Sequence, residues 1–358
     1  WLLADRACAA GPWEVTPQSQ VALSRGLAWL ARSQGPNGNW GSADLGLVAL
    51  GSLAFLAAGH LPGRGSLGKV PQRALEHIMR SARPDGLLNI AHQRRDMYNH
   101  GLATFVLGQA YGMMADDRLQ GVFRRALRLI EETQCDDGGW DYVAEAKPKG
   151  HDLSLSVMQA KALRTALDSG LEVSPRVINL AIANVRQHYR PNPKFAGPEE
   201  LQRQGPGIFS YDGRREGNPA MAAAGVVCLQ EFGQYDDWRI PNNIGYLVRS
   251  VRGVKPVLPG SGSMPFDPYT MYYVGQAMYQ AGGDAWRQVF PRLRDEVVRS
   301  QQRDENDPAV DGSWQATKYL QGAEGQLYAT AVACFVLAIP NRYLPILQEG
   351  RIREFVKR

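Results

Sequence analysis

The sequence predicts an all-α protein that forms a single α6–α6 toroid, a barrel of six helical hairpins. Three segments repeat one pattern, in which an amphipathic helix is followed by Gln, by a polar turn and then by Trp. The paired residues are Gln34 and Trp40, Gln134 and Trp140, and Gln302 and Trp314. The first two pairs have the same spacing, and the third carries a short insertion. Strand-like alternation of apolar and polar residues is almost absent, so a β-rich fold is excluded.

Three degenerate copies fill the gaps, which makes six copies about 50 residues apart. Each copy is followed by a second helix-like run that is rich in Ala and Gly and apolar on all sides, such as "LGLVALGSLAFLAA". Because a helix that is apolar all round is buried, the second helices should form an inner layer and the charged first helices an outer one.

The boundaries and closure of the repeat region follow from the same pattern. The toroid is predicted over residues 18–348, with tails at 1–17 and 349–358. An open superhelix of the HEAT or TPR kind is the alternative, because the repeat length alone allows it. Closure is favoured by the six repeats and by "PNRYLPILQ", which we expect to seal the last hairpin against the first.

Composition excludes several classes of function. The formal net charge is +5, with 40 Lys and Arg against 35 Asp and Glu, and the arginine-rich runs have helical spacing. No groove-reading motif accompanies them, so we predict no nucleic-acid binding. None of the four cysteines has a CxxC partner, and the Asp-rich "RDENDPAVDG" lacks the EF-hand alternation of ligands. We therefore predict no metal site and no cofactor.

The location of the protein is left open by the sequence. The apolar run Leu45–Ala58 is shorter than the roughly 20 residues that cross a bilayer, so no transmembrane helix is predicted. Near the start, "ACAA" fits either the end of an export signal or an irregular tail, and both an exported and a cytoplasmic location are retained. Peripheral membrane association is also retained, and the oligomeric state is not indicated.

The repeats resemble those of the prenyltransferase and squalene-oxidase superfamily. It includes squalene–hopene cyclases, oxidosqualene cyclases and the β-subunits of protein prenyltransferases, and the Gln–Trp turns look like its QW motifs. In more detail, "MYNHGLATFVLGQAYGM" and "YATAVACFVLAIPNRYLPILQ" resemble short bacterial members described as terpene-cyclase-like. This resemblance runs from about Val21 to Gln348 and implies a small apolar or isoprenoid ligand in an axial cavity.

The catalytic signatures of that superfamily are incomplete in this chain. Class II cyclases protonate their substrate with an Asp of a DxDD motif, and Asp152 matches the first Asp of that motif. Ser154 and Leu155 stand where the other two belong. Ala329 stands where prenyltransferase β-subunits place a zinc-binding His. The resemblance therefore implies neither the usual cyclase acid nor zinc-dependent prenyl transfer.

Candidate site residues lie near the starts of the predicted inner helices, where free N–H groups favour polar partners. The catalytic candidates are Asp152, His100 and Glu324. For each of them, helix capping or packing is the alternative role. His151 directly precedes Asp152. Its side chain is expected to point away from that of Asp152, since adjacent residues diverge on a helix, so no His–Asp dyad is predicted.

Substrate-binding candidates include aromatic residues, because aromatic faces stabilise carbocations. The candidates are His151, Arg215, Tyr269, Tyr272, Tyr273 and Tyr328. Arg215 suggests an anion site, since arginine does not favour a helix N-terminus. Plain core packing is the alternative for the tyrosines, and a loop salt bridge is the alternative for the arginine.

Three functions remain open at this point. The first is a terpenoid cyclase or transferase with an altered acid. The second is a non-catalytic protein that binds a lipid, a glycan or a peptide in the same cavity. The third is a carbohydrate-active α/α barrel, which would need paired carboxylates and tryptophans in the cavity. A deep apolar cavity lined by aromatic side chains, with one buried carboxyl group, would favour the first.

Overall fold

The structure is a computed structural model that describes residues 11–114, 116–191, 207–315 and 325–347. Its described part contains twelve α-helices and one pair of short strands. Of the features singled out above, Glu324, Gln348, the stretch "ACAA" and the predicted tail 349–358 lie outside the described residues.

The helices alternate between two layers along the chain. The outer helices are α1 (Pro17–Ser33), α3 (Lys69–Arg80), α5 (Asp117–Glu132), α7 (Pro175–Gln187), α9 (Arg239–Arg252) and α11 (Gly283–Ser300). The inner helices are α2 (Leu45–Ala57), α4 (Asp96–Ala110), α6 (Leu153–Asp168), α8 (Pro219–Glu231), α10 (Pro268–Ala281) and α12 (Gly325–Ala338). Between α7 and α8, β1 (Tyr189–Pro191) pairs antiparallel with β2 (Gly207–Phe209).

The inner helices form a closed ring. Each packs against the next one in the chain, and α12 packs against α2. Every residue of α2 is buried, whereas α5 buries one face at helical spacing, from Leu119 through Val122 and Phe123 to Ala126. The contact between α12 and α2 confirms the toroid and excludes the open superhelix.

Four inner helices begin with a side chain that caps the helix. Asp44, Asp152, Asn218 and Asp267 each accept a hydrogen bond from a main-chain N–H of the first turn. Such caps satisfy donors that would otherwise have no partner. The first turns of α2, α4, α10 and α12 lie together around one cavity, so the inner helices begin at one end of the barrel, which we call the N-terminal end, and finish at the other, the C-terminal end.

The Gln–Trp turns join neighbouring outer helices. Gln34 Nε2 donates to the carbonyl of Gly38 in its own turn, at 3.2 Å, and to that of Val70 on α3, at 2.9 Å. Trp40 Nε1 donates to the main-chain carbonyl of Leu30 on α1 at 2.8 Å. The turn glycine has a left-handed backbone, and a Cβ on Gly38 would lie 2.5 Å from a main-chain oxygen of α3. One outer helix is therefore fastened to the next by side-chain hydrogen bonds and by close backbone contact.

The third of these turns corrects the predicted alignment. The residue that acts like Gln34 is Gln301, whose Nε2 donates to Gly312 at 2.9 Å and to Ala22 on α1 at 2.8 Å. Gln302 instead accepts a hydrogen bond from the Ser313 hydroxyl. Because of the insertion, the spacing to Trp314 does not decide between Gln301 and Gln302, but only Gln301 is buried. This turn joins the last outer helix to the first and so closes the outer layer.

The C-terminal segment contacts the first hairpin, as expected, because the Tyr343 ring lies against Gly59, just after α2. Its Ile346 N–H donates to Gln109 near the end of α4, and its Leu347 carbonyl accepts from Tyr279 near the end of α10. The segment therefore crosses the C-terminal end of the inner ring. Beside it, Arg342 pairs with Glu14 at 3.0 Å, so residues just before α1 are packed against residues just after α12.

Candidate active site

The inner ring encloses a cavity at its N-terminal end, with about 110 Å³ available to the centres of water molecules. One water needs about 10–15 Å³ of this measure, so there is room for roughly ten water-sized groups. The described lining residues are Asp44, Gly46, Leu47, Leu50, Arg95, Tyr98, Asn99, Leu102, Tyr142, Met158, Tyr211, Tyr269, Tyr272 and Tyr328. The wall is therefore aliphatic and aromatic, with a few polar atoms.

Six tyrosines come to this cavity from separate parts of the chain. Tyr269 and Tyr272 lie one turn apart on α10, and Tyr98 and Tyr328 lie on α4 and α12. The other two, Tyr142 and Tyr211, belong to connections between helices. Edge-to-face and tilted ring contacts hold neighbouring rings in place, for example Tyr98 against Tyr142 at 5.8 Å between centroids.

Asp152 lies behind this wall rather than on it. Its Oδ1 accepts from the Ser154 N–H at 2.9 Å and from the Ser154 hydroxyl. Its Oδ2 accepts from the Tyr142 hydroxyl at 2.8 Å, and the Tyr98 hydroxyl donates to Ser154. Both carboxylate oxygens thus serve as acceptors, and Tyr98 and Tyr142 stand between the carboxyl group and the cavity.

His151 contacts Asp152, contrary to the expectation from helix geometry. The distance from His151 Nδ1 to Asp152 Oδ2 is 2.8 Å. The expectation was wrong because Asp152 is the N-cap, with extended backbone angles of φ −157° and ψ 168°, so helical divergence of the two side chains does not apply. The imidazole is about half exposed and packs edge-on against Tyr142, so a His–Asp–Tyr chain connects solvent to the cavity.

The phenols of this cavity are held in their neutral form. Burial raises the pKa of Tyr98 and of Tyr142 far above the ordinary range, and the nearby Asp152 raises both further. Burial is also the main cause of the raised pKa of Tyr269, Tyr272 and Tyr328. At neutral pH these residues therefore offer O–H groups and aromatic faces rather than phenolate charges.

Among the residues that the structure describes, three fully buried polar atoms of the lining residues make no hydrogen bond of good geometry. They are the hydroxyl groups of Tyr269 and Tyr272 and the side-chain oxygen of Asn99. Asn99 and Tyr272 are almost fully buried, at 1% and 2% exposure. A buried polar group without a partner costs about 1–3 kcal/mol. These atoms are inaccessible to a water-sized group, so they lie within the wall rather than on the surface of the cavity.

The polar rim of the cavity is an ion pair. Arg95 approaches Asp44 Oδ2 at 2.6 Å, and its guanidinium lies 5.5 Å from the centre of the Tyr98 ring. Asp44 Oδ1 also caps α2 by accepting from the Leu47 N–H. Within the described lining, the single positive charge is thus matched by a carboxylate that is itself held in place by the fold.

The remaining predicted site residues lie away from the cavity lining. His100 is fully buried, and its two ring nitrogens bind main-chain groups of Leu88 and Ala126. Burial lowers its pKa to about 4. Arg215 is exposed and pairs with Asp212 at 3.6 Å, which agrees with the alternative of a loop salt bridge. Tyr273 is buried behind the wall, where its hydroxyl meets the Met158 sulfur.

Below the cavity, a buried ion pair closes the axis of the barrel. Lys161 and Glu231 are each 1% exposed, and Lys161 Nζ lies 3.1 Å from Glu231 Oε1. Lys161 also donates to Gln276 Oε1 and lies 4.8 Å from the centre of the Phe105 ring. Because Lys161 and Gln276 lie one turn beyond Met158 and Tyr272, this pair forms the floor of the cavity.

The described residues hold no group of three or more His, Cys, Asp or Glu side chains that could bind a metal ion. Among the same described residues, the free thiols are buried; they belong to Cys135, Cys228 and Cys334. None of the described helices is both long and apolar enough to cross a membrane.

Sequence reasoning missed about half of the aromatic wall. Tyr142 and Tyr211 lie outside helices, where no periodic pattern points to an axis. Each does follow a turn of the repeat, Tyr142 two residues after Trp140 and Tyr211 two residues after Phe209. That shared offset is the signal that could have found them.

Comparison with solved structures shows the same fold in proteins of different activity. A variant of the type II terpene cyclase MstE from Scytonema, solved with geranylgeranyl dihydroxybenzoate as substrate, has a TM-score of 0.59 at 14% identity. The alignment covers 93% of this chain and 99% of that one. A cellobiose 2-epimerase from Bacillus thermoamylovorans has a TM-score of 0.59 at 11% identity, over 90% and 98% of the two chains.

A third similar structure is the GH76A α-1,6-mannanase from Salegentibacter sp., with a TM-score of 0.56 at 10% identity over 90% of this chain and 98% of that one. No protein-family model matches the sequence, and no curated protein matches it. At these identities the comparisons show the fold alone. The chain is an α/α toroid of the kind that this terpene cyclase, this epimerase and this mannanase share.

Proposed function

We propose that the protein binds an isoprenoid or another small apolar molecule in the axial cavity. The observation that carries this proposal is the wall itself, in which six tyrosines and the aliphatic side chains of Leu47, Leu50, Leu102 and Met158 line one cavity. Ligand sites of this type are concave and mostly apolar, with a few fixed polar groups. The terpene cyclase with the same fold binds an isoprenoid substrate, which supports this choice of ligand class.

Between binding a ligand and acting on it, the geometry favours binding. Class II cyclisation needs a carboxylic acid O–H aimed at the substrate. Asp152, the residue at the corresponding position, uses both oxygens as acceptors and is screened by Tyr142. Asp44, the carboxylate among the described lining residues, is engaged by Arg95 and by the end of α2. Aromatic faces alone can stabilise a cation, but they do not generate one.

A carbohydrate-active role is less well supported by the same site. Glycoside hydrolysis uses two carboxyl groups that flank the scissile bond, and the described lining contributes Asp44 alone. The described lining also contains no tryptophan on which a sugar ring could stack. Trp40, Trp140 and Trp314 instead donate to main-chain carbonyls of the outer helices.

Mass spectrometry of small molecules that co-purify with the protein tests this proposal. The wild type should carry an apolar molecule, and Leu50→Trp, which fills the cavity from α2, should not. Leu102→Phe is a milder filling variant, and circular dichroism checks that both fold. Incubation with squalene and with prenyl diphosphates follows. Turnover would make the protein an enzyme, whereas no bound molecule and no turnover would refute the proposal.

A further inference from the structure

Carboxylates outnumber cationic groups around the cavity in the described part of the chain. Asp44 belongs to the lining, Asp152 lies one hydrogen bond behind it, and Asp267 caps α10 at the same end of the barrel. Arg95 supplies the positive charge of the described lining. The ion pair on the floor has no net charge. The described groups therefore leave a net negative charge around the cavity.

This negative charge acts on every tyrosine of the wall. Burial is the largest cause of the raised pKa of all six phenols, and a neighbouring carboxylate raises each pKa further. That carboxylate is Asp152 for Tyr98, Tyr142, Tyr211 and Tyr269, Glu231 for Tyr272, and Asp267 for Tyr328. An electrostatic field that disfavours a phenolate on every side of the cavity also disfavours an anionic ligand and favours a cationic one.

The wall also supplies aromatic rings that attract cations. Phenol rings from α4, α10, α12 and two connections line the same cavity, and a neutral ring attracts a cation to its face. Two cations of the protein already lie close to rings at this end of the barrel. The Arg95 guanidinium is 5.5 Å from the centre of the Tyr98 ring, and Lys161 Nζ, at the floor, is 4.8 Å from that of Phe105.

The hydrogen-bonding groups decide which type of cation fits. Both oxygens of Asp44 already accept hydrogen bonds, from the Leu47 N–H and from Arg95, and both oxygens of Asp152 are also used as acceptors. A primary ammonium group has three N–H donors that need acceptors, whereas a quaternary ammonium group has none and presents methyl groups to its surroundings. The described residues also lack a cluster of ligands for a metal ion.

We infer that the ligand of this cavity is an apolar molecule that carries a quaternary ammonium group. This inference rests on the proposed function and names the ligand class of the same cavity. The ammonium group lies among the phenol rings, where cation–π attraction and the surrounding carboxylates stabilise its charge. Its alkyl groups contact Leu47, Leu50 and Leu102, and the cavity volume suits about ten non-hydrogen atoms.

Three probes that share a hexyl chain test the sign of the charge: hexyltrimethylammonium, its uncharged carbon isostere 2,2-dimethyloctane, and heptanoate. Equilibrium dialysis of the full chain in sealed cells, with the bound fraction quantified by mass spectrometry, gives the three affinities. The measurement is made at pH 8, above the ordinary titration range of histidine. Hexyltrimethylammonium should bind at least about fivefold more tightly than 2,2-dimethyloctane, and heptanoate should bind more weakly than hexyltrimethylammonium.

Two variants assign this preference to the cavity. Tyr328→Leu removes one ring, and Asp152→Asn removes one negative charge while retaining a residue type that caps helices. Each should lower the ratio of the cation affinity to the affinity of the uncharged isostere by at least about threefold. Asp236→Asn is the matched control, because it removes an exposed carboxylate from the connection after α8, at the C-terminal end of the barrel. It should leave the ratio unchanged, and circular dichroism checks that all three variants fold.

The outcomes separate this inference from the proposed function. If 2,2-dimethyloctane binds as tightly as hexyltrimethylammonium, or if heptanoate binds more tightly than either, the inference is wrong and the proposal of an apolar ligand stands. A preference for the cation that is unchanged in both Tyr328→Leu and Asp152→Asn would show binding outside the cavity and would also overturn the inference. If none of the three probes binds, both the inference and the proposed function are wrong.

Discussion

Gln301 on the last outer helix donates a 2.8 Å hydrogen bond to the main-chain carbonyl of Ala22 on the first. The same side-chain nitrogen also holds its own turn through Gly312 at 2.9 Å. A single buried amide therefore links two helices that are about 280 residues apart in the sequence. The outer layer is closed at this point by the device that joins α1 to α3 and α5 to α7.

Replacement of this glutamine should open the seam. We expect Gln301→Leu to lower the free energy of unfolding by about 2–3 kcal/mol, since two buried carbonyls lose a donor. The adjacent Gln302→Leu should cost less than about 1 kcal/mol, because Gln302 is half-buried and only accepts from Ser313. Urea unfolding measures both variants. Equal losses would show that Gln301 has no special role at the seam.

The glycine of the second Gln–Trp turn, Gly138, should be intolerant of any side chain. Gly138 has φ +86°, and a Cβ there would lie 2.1 Å from the Leu180 carbonyl oxygen. Gly138→Ala should therefore cost more than about 3 kcal/mol, beyond the 1–2 kcal/mol of a left-handed alanine. Gly170 has φ +73° with nothing within 4 Å, so Gly170→Ala isolates the backbone term. Similar losses of stability in the two variants would rule out the clash.

Protonation of His100 should make stability depend on pH. Burial lowers its pKa in the folded state to about 4, whereas an unfolded histidine titrates near 6.5. Below pH 6.5 the unfolded chain binds the proton more readily than the folded protein does. The contribution of buried, neutral His100 to the free energy of unfolding is therefore fully present above pH 6.5 and is lost as the pH falls towards 4. In total this contribution is about 3 kcal/mol.

A variant isolates this histidine from the other titrating groups. His100→Gln should destabilise the fold more at pH 7 than at pH 5, as measured by urea unfolding at the two pH values. The difference between wild type and variant, rather than the wild type alone, is informative because burial also lowers the pKa of His188. A difference that does not change with pH would contradict the assignment.

The ion pair on the floor of the cavity should be costly to break and cheaper to replace. Lys161→Met leaves Glu231 charged and buried, and we expect a loss of about 3–5 kcal/mol. The double variant Lys161→Met with Glu231→Gln should recover at least about 2 kcal/mol of that loss. Thermal or urea unfolding of the two single variants and the double variant gives the coupling. Additive losses would mean that the two charges do not interact.

Local sequence patterns were sufficient for the helices and their layers. Apolar residues on all sides of α2 predict burial, and one apolar face on α5 predicts an outer position, as observed. Tyr269, Tyr272 and Tyr328 could be named as candidates because they are aromatic residues near the starts of predicted inner helices. These inferences need only residues within a few turns of one another.

The predictions that were wrong or missing concern residues placed by tertiary contacts or by the backbone at a helix end, which local periodicity does not describe. Gln301 and Gln302 are equivalent by spacing, and burial against Ala22 decides between them. The contact between His151 and Asp152 depends on the extended backbone of the N-cap. Tyr211 reaches the cavity from a connection between helices, and no local period places such a residue.

By itself, the sequence determined the class of fold, because six copies of one amphipathic hairpin can bury their apolar helices only by packing against each other. The tertiary structure alone decided which side chains share the cavity, since ring closure places α12 beside α2 and α10 across the ring from α4. It also decided that Asp152 orients phenols rather than facing the cavity. That role depends on hydrogen bonds from Tyr142 and Ser154, whose directions are set by three-dimensional geometry and not by residue type.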